Sequence, residues 1–278
     1  MALDRTVFTL EGVFAVAKVV DLQDAELRRL TRDVTAPGAS EPFGAYLFHH
    51  DEPGADLCRY VEQQVFFEAC GDLPEVMAEG YEPYDASSIF LCIVDHLRMV
   101  PAGMMRVGLP GPLGFKSLND VEPVWGEPVT AMMERTGVTI DPEKTWDIAT
   151  YAIDAGYRGR AARGLVGMGL YQSLSLAALR SGVEWFVTII DMPVFRLVRW
   201  QLCLIFAGYK GVGPKPYYES PTSIPAWCDV IAAEKRLAAT NRDLHEILIQ
   251  GIGLERALRR VDLDRLDQRV AVGGGNAR

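Results

Sequence analysis

The second half of the chain alternates strand-like and helix-like patterns, and this alternation limits the possible folds more than any other feature. Trp146–Ile153 and Glu184–Asp191 are short runs rich in β-branched and aromatic residues, which predict strands. Between them, Arg163–Ser181 is apolar on most faces and predicts a buried helix. Pro193, placed after Asp191 as a cap, opens a further helix. This order predicts two parallel neighbouring strands and an α/β fold.

The composition excludes several classes of function. The 278 residues carry 28 Lys and Arg against 37 Asp and Glu, and a net charge of −9 argues against general binding to nucleic acid or anionic lipid. No apolar run approaches the roughly 20 residues that a membrane-spanning helix needs. The first residues, MALDRTVFTLEGVFAVAKVVD, are too acidic for an export signal. We therefore expect a soluble, cytoplasmic protein with no nucleic-acid partner and no integral membrane association.

Motifs for metal, hydrolase and dinucleotide chemistry are missing from the sequence. The five cysteines are scattered without a CxxC pair, and His245-Glu246 lacks the second histidine of a zinc motif because Ile249 stands there. There is no GxSxG elbow. Three Gly-x-Gly runs lack the third glycine of a dinucleotide fingerprint; they begin at Gly167, Gly211 and Gly251. We expect reduced thiols and no metal site.

The remaining patterns predict further elements around the strand–helix–strand unit. Helices are expected at Asp24–Val34, Leu57–Ala69, Val129–Arg135, Asp229–Ile249 and Leu254–Val270. Strands are expected at Ser88–Val94 and Met104–Val107, and residues 1–20 have room for one more. Ala36–Ala55, rich in Pro, Gly and acids, is predicted to be a loop, and the glycine-rich C-terminal tail is predicted to be frayed.

The first turn of the predicted buried helix carries three arginines. They are Arg158, Arg160 and Arg163, with Gly159 between the first two. Free backbone N–H groups at a helix start, combined with guanidinium groups, form a binding site for phosphate. The alternative is an ordinary solvated turn, and the sequence leaves both interpretations open.

The same region resembles the acyl-transfer core of the GNAT superfamily of N-acyltransferases. The family shows Glu-Ile-x-x-x-Ala-Val/Ile on its fourth strand, and residues Asp147 to Ile153 read Asp-Ile-Ala-Thr-Tyr-Ala-Ile. The family loop that follows is Gln/Arg-x-x-Gly-x-Gly/Ala, and Tyr157-Arg158-Gly159-Arg160 is similar to its opening. This chain departs from the glycine half of the loop, because Ala161 and Arg163 stand at the two glycine positions.

A narrower resemblance is to the acyl-homoserine-lactone synthases and the long-chain N-acyl amino acid synthases within that superfamily. The first pattern is carried by Glu82-Pro83-Tyr84-Asp85, Arg106 and Leu118-Asn119-Asp120, with Gly80 at a position where the strict form has Glu. The second is carried by the run from Val194 to Trp227. Together the motifs cover residues 79–228, about half of the chain.

The resemblance implies an α/β (α+β) fold of the GNAT type, with a mixed central sheet flanked by helices over residues 79–228. Residues 1–78 are then an N-terminal helical and loop segment that packs on this core, and residues 229–278 are C-terminal helices with a disordered tail. The implied function is N-acyl transfer of a medium or long acyl chain to a small amine, with an amino acid favoured. The implied donor is the phosphopantetheine thioester of acyl carrier protein, or acyl-CoA. Three alternatives stay open: an acetyl-CoA-dependent acetyltransferase, an acyl-homoserine-lactone synthase, which the incomplete acidic motif disfavours, and a non-catalytic fold that binds a carrier protein.

The resemblance also assigns roles to residues. Asp147 is the implied base for the amine, or else a structural carboxylate, and backbone N–H groups near Thr150 and Tyr151 are the implied oxyanion donors. Arg158, Gly159, Arg160 and Arg163 are the implied donor-binding residues. Tyr84, Asp85 and Arg106 frame the acceptor, unless Arg106 simply pairs with Asp85. In the family a tyrosine acts as the general acid that protonates the leaving thiolate, but this chain has Leu204 at that position. Tyr209 or Tyr217 is therefore the candidate general acid. Candidate acyl-pocket residues are Trp125, Met132, Met133, Phe186 and Phe206, and the alternative is that they belong to the ordinary hydrophobic core.

Overall fold

The computed structural model describes residues 18–269, apart from residues 160, 161, 163 and 202–205. Its helices are α1 (Asp24–Val34), α2 (Pro53–Cys70), α3 (Pro74–Tyr81), α4 (Lys116–Asn119), α5 (Val121–Trp125), α6 (Val129–Thr136), α7 (Leu165–Arg180), α8 (Met192–Gln201), α9 (Val230–Thr240) and α10 (Arg242–His245). Its strands are β1 (Phe43–His49), β2 (Ser88–Asp95), β3 (Val100–Gly108), β4 (Thr145–Ile153), β5 (Trp185–Asp191), β6 (Ala207–Gly208), β7 (Lys215–Tyr217), β8 (Ser220–Asp229) and β9 (Leu258–Arg259). Helical turns of 3₁₀ type lie at Glu82–Ser87, Pro142–Lys144, Ala155–Tyr157 and Leu263–Arg269, and a π-type turn lies at Glu246–Gln250.

One mixed sheet contains the strands of the described residues. Its order is β6-β8-β5-β4-β3-β2-β1-β9, with β7 paired to the same strand as β6. β4 and β5 are parallel neighbours, as the sequence predicts, because α7 connects them as a crossover. β1 and β9 are also parallel, and the other neighbours are antiparallel.

A gap opens between β4 and β5. Their ladder runs only from Thr145 opposite Trp185 to Asp147 opposite Val187. Beyond this point β4 continues beside β3, and β5 continues beside β8. The two parallel strands therefore diverge toward their carboxyl ends, and backbone groups that face the gap lose their ladder partners.

β4 carries one more residue than the part of β3 that it pairs with. Arg106 lies opposite Thr150, but the next residue of β3 lies opposite Ile148, which leaves Ala149 as a bulge. Because side chains alternate along a strand, the extra residue puts Asp147 and Thr150 on the same face of the sheet.

α2 and α7 cover opposite faces of the centre of the sheet. α7 packs on the face that carries Leu91, Val107 and Ile148. α2 packs on the face that carries Phe90 and Met104. Asp147 and Thr150 therefore lie on the α2 side, where the short helices α4 to α6 also pack.

Two secondary-structure predictions for the segments that flank residues 79–228 are wrong. The segment predicted to be a loop, Ala36–Ala55, contains β1, which pairs along its whole length with β2. The helix predicted at Leu254–Val270 is instead β9 followed by a 3₁₀ helix, since Leu258 pairs with Phe43 of β1 at the edge of the sheet. Each flank thus contributes a strand to the sheet, and the domain boundaries stay predictions.

Some predictions fall beyond the described part of the chain. These are most of the segment considered for an N-terminal strand and the glycine-rich tail. Within residues 18–269, as far as they are described, no helix combines the length and the apolar character needed to cross a bilayer.

Candidate active site

Asp147 is the last residue of β4 that pairs with β5, so it lies at the closed end of the gap. Its side chain is buried, and Oδ2 accepts a hydrogen bond from the backbone N–H of Ser117 at 2.9 Å. Oδ1 is also buried and has no hydrogen-bond partner among the described residues. Burial raises the pKa of Asp147 to about 6, although Ser117 and the ammonium group of Lys116 lower it. A carboxylate with this pKa can accept a proton near neutral pH.

A buried network of charges lies beside Asp147. The guanidinium of Arg106 donates to both carboxylate oxygens of Glu62, with Nε–Oε1 and Nη2–Oε2 distances of 3.0 and 2.6 Å. Its third bond goes to Asp85, and Arg59 donates to the other oxygen of Asp85 at 2.8 Å. Arg106 is only 3% exposed. The contacts therefore favour the pairing alternative for Arg106 over binding of a substrate carboxylate.

The network joins four elements of the fold. Glu62 lies on α2, Arg106 on β3, and Asp85 in the 3₁₀ turn before β2. Thr150 of β4 completes it, because its hydroxyl donates to Oε1 of Glu62. Tyr151, the neighbour of Thr150, points to the other face and stacks on Tyr171 of α7 with ring centroids 5.2 Å apart. Their roles as backbone oxyanion donors stay predictions.

Lys116, at the start of α4, lies in a cage of three tyrosines. Its Nζ is 4.8 Å from the ring centroid of Tyr81, 5.1 Å from that of Tyr218 and 5.8 Å from that of Tyr217. It also forms an ion pair with Asp120. Burial lowers the pKa of Lys116, but Tyr218 and Asp120 raise it more, so the net shift is upward. The cage therefore holds a protonated amine.

The tyrosines predicted from the sequence lie near α4 and in the apolar cluster next to it. Tyr217 donates its hydroxyl hydrogen to Asp120, and the Tyr84 hydroxyl accepts from Asn119 at 3.0 Å, so both contact the region around α4. Tyr209 lies in an apolar cluster with Val121, Trp125 and Met132, and Tyr217 packs against the same cluster. The hydroxyl of Tyr209 is buried without a partner among the described residues, and burial raises its pKa.

The candidate acyl-pocket residues are divided by the sheet. Trp125, Met132 and Met133 belong to the same cluster as Tyr209. The two phenylalanines, Phe186 and Phe206, belong to the main core. Three of the five residues therefore pack in the same cluster as both candidate acids, Tyr209 and Tyr217.

The open end of the gap is reached from the loop after β4. Arg158 is exposed, and its Nε donates to the carbonyl of Ile153 at 2.7 Å. Gly159 has a positive φ of 61°, which favours glycine. α7 begins at Leu165, two residues later than predicted, so Arg158 precedes the helix instead of lying in its first turn. The other two predicted arginines, Arg160 and Arg163, lie outside the described residues.

α8 places two more arginines at the same edge of the sheet. The helix follows β5 directly, and Arg196 and Arg199 line an open cavity of about 380 Å³ together with Met192 and Phe195. Because β4 and β5 are parallel, their carboxyl ends meet at one edge, and Arg158 follows the other strand there. This edge therefore carries three arginines together with two carboxylates, Asp154 after β4 and Asp191 at the end of β5.

Sequence reasoning missed Glu62, Lys116 and two of the caging tyrosines, Tyr81 and Tyr218. For Glu62 a signal was present, because Arg59 and Glu62 share helical spacing with Ala55 and Cys58 and so occupy the apolar face of α2. Charged residues on a buried helix face need partners, which predicts a network. Lys116 follows a Pro- and Gly-rich run that gives no such periodic signal.

Comparison with known proteins gives a likeness in structure only. No protein-family model matches the chain, and no curated protein matches its sequence. FeeM, an N-acyl amino acid synthase from uncultured soil microbes, has a similar structure with a TM-score of 0.53 and 15% identity, covering 72% of this chain and 97% of FeeM. The CoA-dependent acyl-homoserine lactone synthase BjaI, with SAM and isopentyl-CoA, has a TM-score of 0.49 and 12% identity over 81% of this chain and 98% of BjaI. The AHL synthase LasI has a TM-score of 0.49 and 15% identity, covering 69% of this chain and 91% of LasI.

The likeness to FeeM confirms the fold expected from the sequence, an α/β fold of the GNAT type with a mixed central sheet flanked by helices. The mixed sheet, its flanking helices and the diverging parallel strands agree with it. In the described residues no group of three or more His, Cys, Asp or Glu side chains is placed to hold a metal ion.

Proposed function

We propose that the chain is an N-acyltransferase that moves a medium or long acyl group from a thioester to the amine of a small molecule. The observation that carries this proposal is the position and environment of Asp147. This residue is a buried carboxylate at the closed end of the β4–β5 gap, with a pKa near 6 and one oxygen unpartnered among the described residues.

The reaction needs a neutral amine and a polarised thioester. Asp147 accepts the proton of the substrate ammonium, directly or through one water molecule. The amine nitrogen then attacks the thioester carbon, the C–N bond forms and the C–S bond breaks. The thiolate leaves with the electron pair and takes up the second proton, which the nitrogen loses as the amide forms. Backbone N–H groups that face the gap near Thr150 and Tyr151 stabilise the oxyanion in between.

The donor enters at the carboxyl ends of β4 and β5. Arg158, Arg196 and Arg199 lie at this edge and offer guanidinium groups to the phosphodiester of phosphopantetheine. A local group of arginines on a chain of net charge −9 suits an acidic carrier protein. We therefore favour acyl carrier protein as donor, with acyl-CoA as the soluble equivalent. FeeM, an N-acyl amino acid synthase, provides a precedent for this chemistry on the fold.

Mass spectrometry of a bacterial host that expresses the chain tests the proposal, with Asp147→Asn as the matched variant. We expect a new long-chain acyl amide in lipid extracts only with the unmodified protein. In vitro, thiol release from acyl carrier protein or acyl-CoA should depend on an added amine. It should fall by about 10²- to 10⁴-fold in Asp147→Asn, the usual range for the loss of a general base.

Three other outcomes would each overturn part of the proposal. Equal turnover by Asp147→Asn removes Asp147 as the base. Transfer of acetyl groups only, from acetyl-CoA, makes the chain an acetyltransferase. Binding of a carrier protein without release of thiol from any acyl donor or amine leaves a non-catalytic fold.

A further inference from the structure

We propose that Lys116 binds a carboxylate on the acceptor and thereby selects amino acids over simple amines. This inference rests on the N-acyltransferase function proposed above and assigns a substrate class to the same site. It is carried by the position of a caged, protonated lysine next to a half-paired carboxylate.

Lys116 and Asp147 are oppositely charged groups that lie near each other. The backbone N–H of Ser117, the residue after Lys116, donates to Oδ2 of Asp147 at 2.9 Å. Lys116 is therefore tied to Asp147 through one residue, and its charge affects the pKa of Asp147. An α-amino acid is a zwitterion with the complementary pair of charges. Its ammonium group would meet Asp147 while its carboxylate meets Lys116.

The cage gives Lys116 one orientation and leaves it the capacity to bind. Tyr81 and Tyr218 stack with ring centroids 6.2 Å apart, and Tyr217 packs edge-on against Tyr218 at 4.9 Å. An ammonium group has three N–H donors. Asp120 accepts one and Tyr218 contributes a second contact, which leaves one for a bound anion.

Asp120, the counter-ion of Lys116, lies on the solvent side of the ion pair. A bound carboxylate can therefore take its place or bind beside it. The Asp120 side chain is 26% exposed, whereas that of Lys116 is 6% exposed. The ion pair therefore opens toward solvent on the Asp120 side. A carboxylate arriving from that side can take the third donor of Lys116 without crossing the tyrosine cage.

Two other assignments fit the structure less well: binding of the donor phosphate by Lys116, and binding of the acceptor carboxylate by another buried cation. The phosphate of a thioester donor belongs at the carboxyl end of β4, which lies about 20 Å from Asp147, at about 3.3 Å per residue. The other buried cations on this face are already paired, Arg106 with Glu62 and Asp85, and Arg59 with Asp56 and Asp85. Of these cations, Lys116 is the one that combines proximity to Asp147 with a free donor.

The unmodified protein gives the first test, through a pair of acceptors that differ only in the carboxylate. One is an α-amino acid, and the other is the amine that carries hydrogen in place of its carboxylate. We expect kcat/KM to be about 10- to 100-fold higher for the amino acid, the range for one charge-assisted hydrogen bond. Equal values for the two acceptors in the unmodified protein overturn the inference without any variant.

Lys116→Met gives the second test, because methionine keeps the length and apolar stem of the side chain but removes the charge. We expect KM for the amino acid to rise by about 10- to 100-fold, and the ratio of the two acceptors to approach one. Any effect of the variant on the pKa of Asp147 acts on both acceptors alike, so the ratio isolates recognition of the carboxylate. Lys235→Met, on the exposed side of α9, removes the same charge away from the site and should leave the ratio unchanged.

A double variant separates loss of recognition from repulsion by Asp120. Lys116→Met with Asp120→Asn keeps the net charge of the unmodified pair, and it should also lose the preference for the amino acid. Retained preference in both variants overturns the inference while the N-acyltransferase function stands. Absence of transfer to either acceptor in the unmodified protein instead overturns the proposed function.

Discussion

Oδ2 of Asp147 accepts a 2.9 Å hydrogen bond from the N–H of Ser117, while Oδ1 of the same carboxylate is buried with no partner among the described residues. A buried carboxylate that is only half paired loses more hydration than the protein returns to it. The fold therefore favours the protonated form, which is the form that an amine's proton would produce. Stability thus favours the protonated form of Asp147, whereas the proposed activity needs the carboxylate to begin the reaction deprotonated.

The first prediction concerns stability, because the pKa of Asp147 is raised from 3.8 to about 6 in the fold. The protonated carboxyl stabilises the fold fully below pH 3.8, and this contribution is lost as the pH rises through 6. Asp147→Asn does not titrate, so its free energy of unfolding relative to the unmodified protein should increase by up to about 3 kcal/mol between pH 4 and pH 7.5.

Urea unfolding at the two pH values measures this difference. Asp243→Asn, an exposed carboxylate on α10, is the control and should show no comparable change. A difference between Asp147→Asn and the unmodified protein that stays constant with pH would contradict the raised pKa.

The second prediction concerns the pH dependence of acyl transfer. Rates limited by deprotonation of the amine should fall below about pH 6, where Asp147 becomes protonated. Among the charges near Asp147, Lys116 lowers its pKa and Asp120 raises it. Lys116→Met should therefore move the acidic limb of the profile to higher pH, and Asp120→Asn should move it to lower pH. Profiles of kcat that coincide in all three proteins would assign the limb to another group.

The third prediction concerns Gly80, which stands where the strict synthase pattern has Glu. A Cβ atom at this position would lie 2.0 Å from the Tyr218 hydroxyl oxygen, so the tyrosine cage occupies the space of a side chain. Gly80→Ala should destabilise the protein by about 1–3 kcal/mol, although alanine is otherwise the better helix former.

Tyr218→Phe removes the oxygen that the added Cβ would meet and so provides a matched background. In Tyr218→Phe the cost of Gly80→Ala should shrink, with a coupling energy of at least about 1 kcal/mol in a double-mutant cycle. Additive effects in thermal unfolding would mean that the two positions do not compete for space.

The fourth prediction separates a structural from a substrate-binding Arg106. Removing one partner of a buried ion pair leaves an uncompensated charge, so Arg106→Met should cost about 3–5 kcal/mol in the free energy of unfolding. Arg29→Met, which breaks the exposed Arg29–Asp33 pair, should cost less than about 1 kcal/mol. A stable Arg106→Met protein with a raised KM for the acceptor would reverse the assignment.

The sequence predicts the β4–α7–β5 unit well because its signals are local. Strand-forming residues fill Trp146–Ile153 and Glu184–Asp191, and the apolar helix between them requires a parallel crossover. β1 escaped prediction because Pro, Gly and acidic residues surround it. Its place in the sheet depends on pairing with β2, about 45 residues along the chain.

The candidate site depends on contacts that no local pattern records. Asp147 and Arg106 were found through resemblance, but Glu62 pairs with Arg106 from 44 residues away. Lys116 reaches its cage through tyrosines on α3 and β7 and in the turn after β7. The sequence alone therefore could not decide whether Arg106 is free to bind substrate or is neutralised by neighbouring carboxylates.

The bulge at Ala149 sets the phase of β4. A period of two would place residues 147 and 150 on opposite faces, and the inserted residue brings the carboxylate and the Thr150 hydroxyl to the same side. Deleting one residue here would let the ladder with β3 continue but would turn Asp147 toward α7. The proposed chemistry thus depends on the number of residues in a strand as well as on their identity.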